Sequence, residues 1–288
     1  ILSGDRCSNG PHIYYPAPKG PGVYGQSEDQ VTYNMMHDAI AGHSMLDTAE
    51  NVAAKFQITK EEQDEVTLRR YAQYQDALAN DHAFQRRYMT LPFSVPKHNF
   101  KGEDAVMTGD EGVFATTAEG QTRLRPTQEG GTVTFGSQTH PADGNVGLIL
   151  TTPDRARELS RDPSIKVTLR GFGQSRADLK FMPEAPIAAS QRALDHAGVK
   201  ITDIAAIKSH NPFAVNDLAF AKAMGIDVMG MNNYGCSLIW GHPQGPTGLR
   251  AIVELIEELA LKGGGLGLFQ GCAAGDSSMA VVVEVSSR

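Results

Sequence analysis

Hydrophobic and polar positions change their pattern near residue 147. Beyond it, short apolar runs alternate with amphipathic stretches of helical period. Strands that alternate with helices in this way predict a layered α/β sheet. The continuous apolar run at residues 280–283 is typical of a strand buried on both faces. The predicted strands cover residues 165–171, 204–209, 267–270 and 279–285, and the predicted helices cover residues 184–197, 213–224 and 247–261.

The first half of the chain is less regular. Residues 1–30 are rich in Gly and Pro and predict loop, and residues 31–52 predict a helix. A second helix begins after Thr59, which is followed three residues later by Glu62, the spacing of a capping box, and it runs towards residue 79. Residues 91–140 are irregular. The remaining predictions are strands at 91–95, 131–135 and 147–151, the last of them buried, and a short helix at 153–159.

Composition excludes some classes of function. The chain has 288 residues, enough for one large or two moderate domains. Its formal net charge is -7, whereas a surface that binds duplex nucleic acid is basic. No apolar run reaches the roughly 18 to 20 residues that a membrane span needs. We therefore expect neither a nucleic-acid partner nor a membrane span.

The three cysteines, Cys7, Cys236 and Cys272, show no CxxC spacing. They predict neither a disulfide framework nor a zinc site, so we expect no metal and a reducing, cytoplasmic location. The chain begins with Ile1 rather than an initiator methionine, and we expect further sequence upstream.

Two segments carry candidate chemistry. His242 lies on a glycine-bracketed turn that leads into the helix predicted from Thr247, and Cys272 ends an apolar strand. A histidine and a cysteine on rigid elements form a candidate acid/base pair for acyl transfer. Each residue has a simpler interpretation, because a histidine can merely stabilise a turn and a lone cysteine is often a small buried apolar residue.

Several further blocks occur in a characteristic order. They are residues 48–53 with 58–64, Leu124-Arg125-Pro126, residues 131–134 with Asp143-Gly144, residues 209–214, Gly241-His242-Pro243, and Cys272. In this order, and over nearly the whole chain, they resemble the thiolase family of acyl-CoA acyltransferases.

The resemblance implies a layered α-β-α-β-α fold of the α/β class. In it, residues 161–288 form a complete C-terminal half, residues 18–135 an inserted loop domain, and residues 1–17 with 136–160 the remainder of the N-terminal half. The acylated cysteine of thiolases precedes a helix of small residues, whereas Cys7 is followed by Pro11 and Pro16, which cannot form one. We therefore expect the nucleophile upstream or on another chain.

The resemblance also implies roles for individual residues. His242 would activate the nucleophile, Cys272 would be the second acid/base, and the backbone N–H of Ala274 would stabilise an oxyanion. His210 would hold a water or donate to the first oxyanion, although a histidine before a helix can also be a cap. The chain departs from the family at Asn211-Pro212, where relatives have Glu-Ala, and at Asp276, where they have glycine.

Positions that contact pantetheine in the family are occupied here by Ser44, Met45, Thr139 and His140. Coenzyme A would thus be a substrate, with no further cofactor. The implied partners are acyl-CoA, CoA and copies of the same chain in a dimer or tetramer, with an accessory subunit as a further possibility.

Two functions remain in competition at this point. The first is a thiolase-type acyltransferase that acts on a 3-oxoacyl-CoA and CoA. The alternative is a non-catalytic thiolase-like subunit or a scaffold that binds acyl-CoA. A Cys/His hydrolase is a third and weaker hypothesis, because the sequence has no strand–turn–helix nucleophile elbow.

Overall fold

The computed structural model describes residues 1–287. Its strands are β1 (Leu2–Arg6), β2 (His12–Tyr15), β3 (Gln26–Asp29), β4 (Phe93–Pro96), β5 (Glu103–Met107), β6 (Asp143–Gly147), β7 (Ile165–Arg176), β8 (Ile204–His210), β9 (Gly265–Ala273) and β10 (Ser277–Ser287). Its helices are α1 (Gln30–Met36), α2 (Met45–Phe56), α3 (Lys60–His82), α4 (Ala118–Arg123), α5 (Pro153–Leu159), α6 (Ala185–Ala197), α7 (Ala214–Met224), α8 (Ser237–Trp240) and α9 (Thr247–Leu261).

A four-stranded sheet in the order β7-β10-β9-β8 organises the second half. Strands β8 and β9 are parallel, and β10 is antiparallel to both of its neighbours. Side chains alternate across the sheet: Leu268 and Val282 pack with α6 and α7, whereas Phe269 and Val283 pack with α9. The sheet is therefore covered on both faces, and the layered α/β prediction is confirmed.

A second core joins the helices of the first half to helices α7 and α8 of the second half. In it, α2 and α3 pack against α7 and α8 through residues such as Val52, Val66, Phe213 and Trp240. As predicted, Thr59 caps α3 in a capping box with Glu62.

Two buried ion pairs connect these layers. Arg70 of α3 donates from Nε to Asp217 of α7 at 2.9 Å, and Lys208 of β8 lies 3.1 Å from Glu254 of α9. All four side chains are at most 1% exposed. Charges so deep in a core are tolerated only when paired and hydrogen-bonded, so these pairs fix how the helices sit on the sheet.

The prediction of one helix over residues 31–52 is wrong. The chain forms α1 and α2 instead, with a loop between them. In that loop the Asp38 carboxylate accepts the backbone N–H groups of Ile40 and Ala41, both at 2.8 Å. Aspartate that bonds to its own local backbone offers the chain an alternative to the helix, and a turn results.

Two predicted strands are also wrong. Residues 131–135 form no strand, because the N–H groups of Thr132 and Val133 donate to the Glu50 carboxylate rather than to a neighbouring strand. Only Gly147 of the run 147–151 belongs to a strand, β6, which pairs with β1 in a two-stranded ribbon. Ile149, which was predicted to be buried, is 73% exposed.

The strand predicted at 91–95 corresponds to β4, and the short helix at 153–159 is α5. The helices and strands predicted beyond residue 160 are all present, with longer strands than predicted. Hairpins β2–β3 and β4–β5 occupy segments for which the sequence predicted mainly loop. The division into domains remains a prediction. No helix among residues 1–287 combines the length and apolar character needed to cross a bilayer.

Candidate active site

Three chain segments meet at one end of the four-stranded sheet. They are the end of β8, which carries His210, the turn between α8 and α9, which carries His242, and the end of β9, which carries Cys272. The rings of His210 and His242 stack, with 4.2 Å between their centroids and 27° between their planes. The structure thus brings together two of the histidines that the sequence singled out.

The ring of His242 is oriented by a hydroxyl group. Its Nδ1 lies 2.7 Å from the hydroxyl oxygen of Thr247, the first residue of α9. That hydroxyl has one proton and two acceptors, His242 Nδ1 and the carbonyl of Pro243 at 2.7 Å. When it donates to the carbonyl, it accepts from Nδ1–H. In that arrangement the Nε2 atom of His242 carries a free lone pair and can accept a proton.

Burial keeps both imidazoles neutral. Removal from water lowers the pKa of His242 to about 4, with the charge of Asp5 acting weakly in the opposite direction. Burial, together with the neighbouring His242, lowers the pKa of His210 well below its usual value. A neutral imidazole with a free Nε2 is the form that acts as a general base.

The hydroxyl of Ser237 controls the other ring. His210 Nδ1 lies 3.1 Å from Ser237 Oγ, and this oxygen also accepts the N–H of Asn211. The Ser237 proton has two acceptors, His210 Nδ1 and Asn211 Oδ1. When it points to His210, Nε2 of that ring carries the hydrogen and is a donor, as the oxyanion role requires.

Cys272 follows the strand residue that pairs with His210. Its neighbour Gly271 is the parallel partner of His210, and a Cβ at Gly271 would lie 3.0 Å from the His210 Cβ. The absence of a side chain at Gly271 therefore lets the two strand ends approach. The thiol of Cys272 accepts a hydrogen bond from the amide of Asn216 at 3.4 Å.

The Cys272 thiol is protonated at rest. Burial raises its pKa to about 12, while the Asn216 hydrogen bond acts in the opposite direction. A thiol of this kind can donate a proton, and Asn216 stabilises the thiolate that remains.

Backbone contacts fix the His242 turn. The N–H of His242 donates to the carbonyl of His140 at 2.8 Å, and Pro141 forms an isolated parallel bridge with His242. Gly241 has φ +94°, and a Cβ there would lie 2.8 Å from His140 Nε2. Glycine is therefore required immediately before the histidine.

The four residues predicted to contact pantetheine fall into two groups. Thr139 and His140 contact the segments that carry the histidine pair. The Thr139 hydroxyl donates to the Ser237 carbonyl, and the His140 carbonyl accepts the N–H of His242. His140 Nε2 is buried with no partner among residues 1–287. Ser44 and Met45 lie at the start of α2. The Ser44 hydroxyl caps this helix, and Met45 packs against the core that α2 and α3 form with α7 and α8. No described hydrogen bond or packing contact joins this second group to the histidine pair.

The turn after Cys272 carries Ala274 and Asp276. Ala274 is exposed, whereas Asp276 is buried and has φ +52°. The Asp276 carboxylate accepts two backbone N–H groups, from Lys180 and Phe181. These hydrogen bonds fasten the turn to the loop that precedes α6.

Asn211, which departs from the family pattern, does not line the site. Its side chain is fully buried and bonds to Asp217, Cys236, Ser237 and the N–H of Leu238. Asn211 therefore holds the first turn of α8 through Ser237 and Leu238. Burial also raises the pKa of Cys236 to about 11, so that thiol is not an activated nucleophile. Cys7 contacts the carbonyl of His242, with 3.9 Å between Sγ and oxygen, rather than its ring.

Sequence reasoning missed the side chains that orient the three predicted groups. They are Ser237, Thr247 and Asn216, which contact His210, His242 and Cys272 respectively. One signal was available: Thr247 stands at the predicted helix start, where a hydroxyl faces the preceding turn. Nothing in the spacing of Asn216 or Ser237 indicates their partners.

Comparison with protein-family models identifies the chain. The thiolase N-terminal domain matches residues 16–154, and the thiolase C-terminal domain matches residues 164–285. The chain belongs to the thiolase family. The resemblance read from the sequence blocks is thereby confirmed.

Individual thiolase relatives agree with this assignment. The chain is 31% identical to the acetyl-CoA acetyltransferase of Chromobacterium violaceum, over 99% of this chain and 72% of that protein. It is 33% identical to the 3-ketoacyl-CoA thiolase of Idiomarina loihiensis, over 85% of this chain and 63% of that protein. The chain therefore spans roughly two thirds of the length of these thiolases.

Solved thiolase structures show the same fold. The Bacillus anthracis acetyl-CoA acetyltransferase superposes with a TM-score of 0.87 at 27% identity, covering 98% of this chain and 70% of that one. Human mitochondrial 3-ketoacyl-CoA thiolase in complex with CoA gives a TM-score of 0.86 at 27% identity, covering 100% of this chain and 70% of that one. The fold is therefore the α/β fold of thiolases, as the sequence predicted.

Proposed function

We propose that this chain supplies the acid/base half of a thiolase-type acyltransferase that cleaves a 3-oxoacyl-CoA with CoA. The observation that carries the proposal is the His242 ring, which is neutral, stacked on His210 and held by Thr247 so that Nε2 is a proton acceptor. The nucleophilic cysteine is expected outside these 288 residues. Family membership and the names of the relatives support the reaction class.

The first half-reaction follows from these protonation states. The nucleophilic thiol gives its proton to His242 Nε2, and the thiolate attacks the 3-oxo carbon, which places a negative charge on its oxygen. That oxyanion accepts a hydrogen bond from His210 Nε2–H. Collapse breaks the C2–C3 bond and leaves the electron pair on C2, where it takes the proton of the Cys272 thiol to give acetyl-CoA.

The second half-reaction restores the protein. The thiol of a free CoA attacks the acyl-enzyme, and its proton returns to the Cys272 thiolate. The released cysteine takes back its proton from the His242 imidazolium. The sum is 3-oxoacyl-CoA plus CoA giving acyl-CoA plus acetyl-CoA, with no net proton change.

The test uses the full-length protein with acetoacetyl-CoA or a longer 3-oxoacyl-CoA and CoA, with acyl-CoA products separated by chromatography. We expect thiolysis, and we expect His242→Asn to slow acylation of the nucleophile by about a hundredfold or more. An acylation rate in this variant within threefold of the parent would show that the imidazole is not the base. Lack of turnover with every chain length, together with retained acyl-CoA binding, would favour the non-catalytic subunit or scaffold.

A further inference from the structure

The backbone of Asp276 has a conformation that few residues other than glycine adopt. Its φ is +52°, in the left-handed region, and only 1% of the residue is exposed. Most side chains with a Cβ are strained in this region; aspartate and asparagine occupy it as single residues when local hydrogen bonds support them, and glycine adopts it freely. Something in the fold must therefore compensate for an aspartate here.

The compensation is a set of hydrogen bonds to one loop. The Asp276 carboxylate accepts the N–H groups of Lys180 and Phe181, each at 3.1 Å, and its carbonyl accepts the N–H of Ala177 at 2.9 Å. The same loop is tied to α2, since Asn51 donates to the Lys180 carbonyl and the N–H of Met182 donates to the Thr48 hydroxyl. Asp276 thus connects the turn after Cys272 to two layers of the fold.

A second carboxylate holds the adjacent residue from another direction. The N–H of Gly275 donates to Asp38 at 2.6 Å, and Asp38 is itself fixed by the N–H groups of Ile40 and Ala41. Asp38 lies in the segment that leads to Ser44 and Met45, two of the positions expected to contact pantetheine. Two consecutive residues of the turn are therefore held by hydrogen bonds to different parts of the chain: Gly275 bonds to the Asp38 carboxylate, and the Asp276 carboxylate bonds to the loop before α6.

We infer that Asp276 is a positioning residue for the reaction, holding the turn of residues 273–276 so that Cys272 and the N–H of Ala274 face the reacting thioester. The inference rests on the proposed function. The Asp276 side chain does not touch the substrate, because both of its oxygens bond to the loop before α6. It acts through the backbone of the turn, and Asp38 supplies the opposing contact.

Two variants of Asp276 distinguish the effect of its hydrogen bonds from the effects of its charge and of its backbone strain. Asp276→Asn and Asp276→Gly both remove the negative charge. Asparagine keeps one acceptor oxygen and tolerates a left-handed φ, whereas glycine relieves the strain and loses both acceptors. Asp178→Asn, an exposed aspartate on the same loop, is the matched control.

Steady-state thiolysis by the full-length protein is the first measurement, with thermal unfolding recorded to show that each variant is folded at the assay temperature. We expect Asp276→Gly to lower kcat at least tenfold with KM within threefold of the parent. Asp276→Asn should recover at least a third of the parent kcat, and Asp178→Asn should match the parent. A kcat for Asp276→Gly within twofold of the parent, or equal losses in the Asn and Gly variants, would overturn the inference.

A second measurement does not need turnover. The rate of Cys272 alkylation by iodoacetamide, followed by peptide mass spectrometry, should be at least fivefold faster in Asp276→Gly than in Asp276→Asn. Equal rates would contradict the positioning role. If the parent protein shows no thiolysis, the proposed function fails while this comparison still decides whether Asp276 holds the turn.

Discussion

The imidazole rings of His210 and His242 lie face to face, 4.2 Å apart at their centroids. Each ring is oriented by a hydroxyl on its Nδ1 side, that of Ser237 for His210 and that of Thr247 for His242. Burial lowers the pKa of both rings, and a positive charge on His242 disfavours one on His210. With the Thr247 proton on the Pro243 carbonyl and the Ser237 proton on His210 Nδ1, the pair offers one proton acceptor and one proton donor side by side.

Replacement of Thr247 by Val should weaken the base. The variant keeps the shape of the side chain and leaves the buried Nδ1–H of His242 without an acceptor, which costs about 1–3 kcal/mol. We expect kcat/KM for thiolysis to fall about tenfold or more, whereas Thr247→Ser, which keeps the hydroxyl, should retain most of the activity. Equal activities for the Val and Ser variants would show that the hydroxyl does not set the tautomer.

Acid should destabilise the fold through His242. Its pKa is about 4 in the folded protein, against 6.5 ordinarily, so the unfolded chain binds the proton more tightly. Stability is fully present above pH 6.5 and is lost as the pH falls towards 4. From pH 7.5 to pH 5 this residue should account for about 2 kcal/mol of lost unfolding free energy. Buried His210 acts in the same direction, and the charge of Asp5 opposes it weakly.

Urea unfolding at the two pH values measures this contribution. The pH dependence should shrink by about 2 kcal/mol in His242→Asn. The exposed His98→Asn variant should behave as the parent, since that side chain stays in water in both states. A His242→Asn variant with undiminished pH dependence would refute the assignment.

Removal of the Cys272 thiol should stop carbon–carbon cleavage. Cys272→Ala lacks the proton donor for C2, so thiolysis should fall by roughly 10²–10⁴-fold. Acylation of the nucleophile by a simple acyl-CoA needs no proton at carbon, and the CoA sulfur can leave as a thiolate without the Cys272 proton, so acylation should slow but remain detectable by mass spectrometry. Cys7→Ala serves as control and should change turnover less than threefold. Loss of acylation in Cys272→Ala would contradict the separate roles of Cys272 and His242.

The ion pair between Arg70 and Asp217 should be important for stability. Arg70→Met leaves the fully buried Asp217 without its cation, and such unpaired charges cost about 3–5 kcal/mol. Denaturant unfolding should show a loss of this size. The matched control is Arg123→Met, because the Arg123 side chain is 77% exposed in its pair with Glu119 and should change stability by less than about 1 kcal/mol. Similar losses in both variants would indicate that burial of the pair is irrelevant.

Local chemistry made part of the fold predictable. The helices of the second half appear where period and capping residues indicate them, since amphipathic faces and end groups are properties of neighbouring residues. The helix predicted over residues 31–52 failed because Asp38 bonds to the backbone of Ile40 and Ala41. The strand predicted at residues 131–135 failed because a distant carboxylate, Glu50, takes its N–H groups.

The sequence by itself determined the family, the α/β class and the identity of His210, His242 and Cys272 as candidates, because motif order and residue type are carried by the chain. Only the tertiary structure decided which atoms accept and donate protons. That decision depends on Thr247, Ser237 and Asn216, on burial, and on a turn fastened by Asp276. These are contacts between segments far apart in sequence, and no periodicity along the chain encodes them.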